Sequence, residues 1–318
     1  MSTDIDTQHP AQRTKASILV DLERVARRFW EPLNDDTVTE ISANPDGQIF
    51  VTRFGTRPAV FGTISALDAD IFTRWCASTL GLCVTETNPI VSGRLPGTLH
   101  RIEMIVPPVV EAASFSIRRH SSAIRPLETF GVDADLRFAL RKAMAERANI
   151  IISGGVQCGK TTFQAALLAE LNDLQPDTRV VILEDTPELT SQFTNSLSLL
   201  GSPTMSLDRL LVSTLRLAPD RIIVGEVRTG AVALTMLKAW NTGHPGGLST
   251  IHANSGADVF NRFDELIAEV SVNAQSKLVA RTADIIIQLG RPSGRPSVIE
   301  IIDYRQNKEG TYLYERQS

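Results

Sequence analysis

The chain has 318 residues, 42% hydrophobic and 21% charged, with a formal net charge of −4. That length favours two domains, and the composition is that of a globular protein rather than a disordered or membrane-spanning one. A pI near 5.8 leaves no global footprint for nucleic acid, so no strong direct nucleic-acid binding is expected.

Residues 1–14 are polar and read as a mobile tail without an apolar signal region, which argues against export. Ile18, Leu19, Leu22, Val25, Ala26 and Phe29 then recur at helical spacing, with Asp21, Glu23, Arg24, Arg27 and Arg28 largely on the other face. Such a helix suits packing on its own domain or a neighbouring subunit; peripheral membrane contact is the alternative. Strands are expected at Thr37–Ala43 and Gln48–Arg53, joined by the turn Asn44-Pro45-Asp46-Gly47. A helix over Ala66–Leu80 and strands at Leu99–Val106 and Ser114–Arg119 complete a small α+β domain, residues 15–120. Weak periodicity around Pro126 marks residues 121–130 as a linker.

Beyond it, helices and strands alternate through residues 131–318. Helix Asp133–Ala148 leads into strand Asn149–Ser153, then a Gly-rich turn and a helical stretch, Phe163–Asn172. Strands at Arg179–Glu184, Arg221–Gly225 and Leu248–Ala253 are separated by helices at Ser206–Leu217 and Thr229–Asn241. This order is α/β, with a mainly parallel sheet covered on both faces and any ligand at the carboxyl ends of its strands. Ile285–Leu289 and Val298–Ile302 flank a turn and read as a hairpin, with Thr311–Tyr314 a further strand.

The turn after the first of these strands, Gly154-Gly155-Val156-Gln157-Cys158-Gly159-Lys160-Thr161, fits G-x-x-x-x-G-K-[ST] in its required strand–loop–helix setting. Successive backbone N–H groups through Thr162 and the positive end of a helix suit a polyphosphate. Lys160 reaches the β- and γ-phosphates, and the Thr161 hydroxyl is placed for Mg²⁺. Gln157 and Cys158 stand where such loops often carry small residues. Cys158 reads as a loop residue, with a redox switch as the alternative. The other cysteines, Cys76 and Cys83, make three in all, too few for a disulfide framework or a four-thiolate zinc site, which suggests reducing cytoplasm.

Glu226 ends an apolar strand, a placement suited to coordinating Mg²⁺ through water or polarising an attacking water. Glu184, Asp185 and Glu188 cluster past another strand; Glu188 is the candidate for positioning the hydrolytic water, with the other two as supports. His244 and His252 flank a short strand in Gly-rich surroundings and together suggest a sensor of the nucleotide's state.

With this phosphate loop, Glu184–Leu189, Val224–Arg228, and Thr242–Gly247 followed by Thr250–Asn254 in one order, the chain resembles the secretion traffic ATPases. Within them it is most similar to the TrbB-type conjugal-transfer ATPases of type IV secretion systems. Glu40-Ile41, Asn44–Gly47, Leu95-Pro96-Gly97, Pro107-Pro108 and Phe115–Arg118 carry the resemblance into the N-terminal half. It implies a RecA-like P-loop NTPase domain preceded by a PAS-like domain, and a homo-oligomer, a hexameric ring, in the cytoplasm and peripheral at the inner membrane. Other secretion-system components are the implied partners, and ATP and Mg²⁺ the cofactors. Hydrolysis between the domains would drive pilus assembly and DNA or protein transfer. The resemblance assigns Lys160 and Thr161 to phosphate and metal, Glu188 and Glu226 to catalysis, His252 to the histidine box, and Arg101 and Arg118 to the nucleotide. A pilus-retraction or type II secretion ATPase, a RecA-like DNA-binding ATPase and a scaffold that binds ATP without hydrolysis are the rival readings. The four-cysteine zinc motif of many type II enzymes cannot be built from three cysteines, the acidic pI weighs against DNA binding, and intact carboxylates at Glu188 and Glu226 weigh against the scaffold.

Overall fold

A computed structural model describes residues 14–120, 124–202, 204–272, 275–305 and 310–316. The chain divides between residues 121 and 122 into two compact units.

In the first unit, α1 (Lys15–Val25) starts at Thr14, whose side chain accepts the N–H of Ser17. Thr14 is thus the helix cap rather than the end of a tail; the rest of the expected tail, residues 1–13, lies outside the described residues. The helix stops at Val25, and the apolar periodicity that continues to Phe29 belongs to a turn before α2 (Trp30–Asn34). β1 (Val38–Ala43), β2 (Gln48–Arg53) and β3 (Ala59–Thr63) precede α3 (Ala66–Thr79), and β4 (Ile90–Arg94), β5 (Arg101–Ile105) and β6 (Ser114–Arg118) follow. They form one antiparallel sheet in the order β3-β2-β1-β6-β5-β4. Leu22 and Ala26 join Phe29, Phe72 and Phe115 in its core, where the three rings lie 4.6 to 5.2 Å apart by their centroids. The apolar stripe of α1 therefore packs on its own unit. Period-two alternation gives the sheet two characters: Ile102, Met104, Phe115 and Ile117 are buried, while Arg101, Glu103, Ser116 and Arg118 take the other face.

The second unit opens with a 3₁₀ turn, Leu127–Phe130, whose Leu127 and Phe130 are fully buried. The last four residues of the segment expected to be a linker thus form a turn on the core, because its two large apolar residues find a wall against Phe163 and its neighbours. α4 (Ala134–Ala145), β7 (Ile150–Gly154), α5 (Lys160–Leu174), β8 (Val180–Glu184), β9 (Ser196–Leu200), α6 (Leu207–Thr214), β10 (Arg221–Val227) and α7 (Gly230–Asn241) come next. β11 (Leu248–Ile251), α8 (Asp258–Ala268), α9 (Ser276–Thr282), β12 (Ile285–Gly290), β13 (Ser297–Asp303) and β14 (Thr311–Glu315) close the unit. The eight strands run β14-β13-β12-β7-β11-β10-β8-β9, parallel from β12 to β9 and antiparallel at β13 and β14. Ile150 and Ile152 of β7 point into one core with α4 and α5, and Ile151 into the other with α6 to α9. Burial on both faces is why these strands read as unbroken apolar runs.

Candidate functional site

Because β7, β11, β10 and β8 are parallel neighbours, their carboxyl ends coincide. The turn after β7 begins at Gly154 (φ 150°) and reaches α5 through Gly159 (φ 89°). A Cβ on Gly154 would stand 2.5 Å from Cys158 Sγ and 2.6 Å from the Leu289 carbonyl oxygen, so only glycine fits there. Gly155, Val156 and Gln157 are exposed, whereas Cys158 is buried beneath the loop. Gln157 takes φ 58°, in the left-handed region where L side chains are strained. Burial pushes the Cys158 thiol above its usual range, with Lys160 opposing. A protonated, buried thiol is a poor nucleophile, which favours the loop-residue reading over the redox switch.

Thr161 and Thr162 lie half-buried in the first turn of α5, where the free N–H groups and the helix dipole favour an anion. Lys160 is buried, and its Nζ donates to the carbonyls of Gly154 at 2.9 Å and Gly155 at 2.8 Å. The same Nζ lies 3.2 Å from His252 Nδ1, and His252 Nε2 lies 2.8 Å from Glu226 Oε1. An ammonium only donates and a carboxylate only accepts, so the imidazole between them carries its proton on Nε2 and a lone pair on Nδ1. Burial first, then Lys160, hold the His252 pKa below its ordinary value against the pull of Glu226. A neutral ring fits that tautomer.

Both oxygens of Glu226 are engaged, since Arg228 Nε and Nη2 each lie 2.5 Å from Oε2. Glu184, buried at the end of β8, accepts on Oε1 the backbone N–H groups of Glu188 at 2.9 Å and Leu189 at 3.0 Å. Glu184 thus shapes the turn that carries the half-buried Glu188. Behind the site, buried Gln164 of α5 donates to the carbonyls of Val224 and Leu248, and Thr250 Oγ1 to that of Gly225. These cross-ties fix α5, β10 and β11 to one another.

Lys160, His252 and Glu226 are therefore brought together. His244 is not: it precedes β11 while His252 follows it, so a strand's length puts the two at opposite ends of the sheet. The joint sensor expected of both histidines is therefore not assembled, and only His252 stands beside Lys160 and Glu226. The loop after His244 is held from below, with Asn149 Oδ1 accepting the N–H groups of Gly246 at 2.8 Å and Gly247 at 3.0 Å. Buried Arg221 donates to the Gly246 carbonyl at 2.9 Å. Arg101 and Arg118 belong to the first unit, paired across β5 and β6, with Arg94 the next residue in the same rung.

Sequence reasoning passed over the roles of Gln164, Asn149 and Arg221. Their signal was a polar residue inside an otherwise apolar, buried pattern. Among the described residues no group of three or more His, Cys, Asp or Glu is arranged to hold a metal ion. Thr161 and Glu226 offer one hydroxyl and one carboxylate, a donor set sparse enough to fit Mg²⁺ if phosphates and water completed its shell.

A parallel sheet whose carboxyl ends carry a phosphate loop, an acidic turn after β8, a carboxylate at the end of β10 and a histidine defines a RecA-like P-loop domain. The chain belongs to the type II/IV secretion system protein family, whose model matches residues 23–309. It is 43% identical over 289 residues to the conjugal transfer protein TrbB of Rhizobium radiobacter, covering 89% of each chain. It is 29% identical to the type IV secretion system protein VirB11 of Bartonella henselae, over 92% of this chain and 94% of that one. Among solved structures, the ATPase DotB of Yersinia pseudotuberculosis matches with a TM-score of 0.67 at 17% identity, covering 97% of this chain and 85% of that one. That last likeness is one of fold.

Proposed function

We propose that this protein hydrolyses ATP as the motor of a conjugative type IV secretion system, working as a homo-oligomeric ring, a hexamer, peripheral at the cytoplasmic side of the inner membrane. The observation that carries the enzymatic part is the chain Lys160–His252–Glu226, assembled from the start of α5 and the ends of β11 and β10 beside a glycine-built phosphate loop. Kinship with TrbB carries the conjugative part. Among the described residues no helix is long and apolar enough to cross a membrane.

In this reading the loop N–H groups from Gly155 to Thr162 and the start of α5 bind the phosphates. Lys160 swings from the loop carbonyls onto the β- and γ-phosphates, neutralising charge that grows in the transition state. Thr161 and Glu226 would hold Mg²⁺, which would supply electrostatic stabilisation of the transferring phosphoryl group. Glu226 and Glu188 orient the attacking water. His252, sharing a hydrogen bond with each of the two groups that change partners, reports their movement to β11. Arg101 and Arg118 are proposed to meet the phosphates from the first unit, and other secretion components to receive the work.

The deciding experiment couples a steady-state ATPase assay to mass measurement with and without ATP and Mg²⁺. Lys160→Ala should abolish hydrolysis, and Glu226→Gln should bind ATP without turning it over. A monomer under every condition rules out the ring, and wild-type turnover in Glu226→Gln rules out its catalytic role.

A further inference from the structure

Glu226 has two oxygens, and they face different surroundings. Oε1 is turned toward His252 and, through it, toward Lys160 and the phosphate loop. Oε2 is the oxygen that Arg228 holds, and Glu226 and Arg228 line a cleft of about 440 Å³ with Asp185, Ser202, Ser206 and Asp208. Arg228 is the residue that separates them. Its Nε and Nη2 converge on Oε2 alone at 2.5 Å, while Nη1 reaches back to within 4.0 Å of Asp185 Oδ2. A carboxylate on a freely rotating side chain has no preferred oxygen. Two guanidinium nitrogens fixed on one oxygen select the rotamer in which the other faces the loop.

We infer that Arg228 is a positioning residue for phosphoryl transfer: it anchors Glu226 by Oε2 so that Oε1 is presented to the metal-bound triphosphate and its water. The inference rests on the ATPase reading above and assigns one group's work within it. Glu226 is the penultimate residue of β10 and Arg228 the first residue past it, so the anchor and the group it holds are set by the same strand end. The sum of charges agrees. Asp185, Asp208 and Glu226 face one arginine across the cleft, so the guanidinium is stabilised where it stands without needing a phosphate as its partner.

An anchor of this kind acts on the chemical step and not on nucleotide affinity, which the loop and Lys160 supply. Losing an orienting partner of a ligating group typically lowers activity about 10- to 100-fold. In the full-length protein, Arg228→Gln should lower kcat by about that factor and leave KM for ATP within about twofold, with an unchanged unfolding temperature. Arg228→Lys keeps the charge but offers one nitrogen in place of two, and should fall between.

A kcat within threefold of wild type in both arginine variants overturns the inference. A rise in KM at unchanged kcat makes Arg228 a nucleotide contact and overturns it as well. Lys160→Ala, assayed beside them, separates the two levels: hydrolysis surviving there removes this site as the source of the activity, whereas hydrolysis lost there and kept in Arg228→Gln removes only the anchor. Should Arg228→Gln fail to fold, Arg228→Lys carries the same comparison.

Discussion

Glu184 fills the space that a side chain on Gly225 would need: a Cβ there would stand 2.9 Å from Glu184 Cγ and 3.5 Å from its Oε1. Glycine is therefore required one residue before Glu226 so that the neighbouring strand's carboxylate can turn inward and take the N–H groups of Glu188 and Leu189. Gly225→Ala should push Glu184 off those donors, costing about 1–3 kcal/mol of stability. Urea unfolding checks the stability, and an ATPase assay should show turnover falling with it. A variant as stable as wild type contradicts the packing account.

Cys158 should be inert. Its sulfur is buried under Gly154 and its thiol is pushed up by burial, so a thiol-directed reagent at neutral pH should label exposed Cys83 and spare Cys158. Peptide mass mapping after labelling of the folded protein reads this directly. ATPase activity should survive mild oxidation, and preferential labelling of Cys158 would restore the redox switch.

The first unit should weaken in acid through His100. Burial, then the nearby charge of Arg119, lower its pKa to about 4, and its Nδ1 accepts the backbone N–H of His120 at 3.0 Å. The unfolded chain binds the proton near pH 6.5 and the folded one near pH 4. Stability from this group is thus fully present above about pH 6.5 and lost progressively as pH falls toward 4, in total up to about 3 kcal/mol. His100→Gln should flatten that part of the stability-against-pH curve. An unaltered slope would remove His100 as its source.

Arg221 holds the base of the nucleotide-binding sheet without a carboxylate within its hydrogen bonds. Its guanidinium donates to the Gly246 carbonyl, to Met144 oxygen at 2.7 Å and to Gln175 Oε1 at 2.8 Å. Burial, then the charge of Arg147, bring its pKa to about 10, so it stays charged at neutral pH. Arg221→Met removes three donated hydrogen bonds, those to the Gly246 and Met144 carbonyls being buried, and should cost about 3 kcal/mol. Calorimetry would show the drop, and a loss under about 1 kcal/mol would mean that water replaces the arginine.

What could be read from the sequence followed how strongly each part depends on local pattern. The phosphate loop and the strands beside it were legible because double-sided burial makes long apolar runs and because glycine is required at Gly154 and Gly159. β3 and β4 were passed over: β3 is an exposed edge strand and β4 is interrupted by Gly93, so neither shows clean alternation. α8 did carry a helical stripe, Val259, Phe263, Leu266 and Ile267, and was missed. The pairing of Lys160 with His252 spans 92 positions, and no local rule gives it. Reading His244 and His252 as one device failed because proximity in sequence says nothing about which end of a strand a residue occupies.

β11 has a consequence for how the gene can vary. Its four residues are buried and bonded to β10 and β7 on either side, and the loop before it is fastened through Gly246 and Gly247. With the near end tied, the segment acts as a ruler that sets the height of His252. Leu248 and Ile251 lie in opposite cores, so one inserted residue would exchange their faces as well as lengthen the ruler. Substitutions of matching size are the only changes such a segment can absorb; insertions and deletions belong elsewhere.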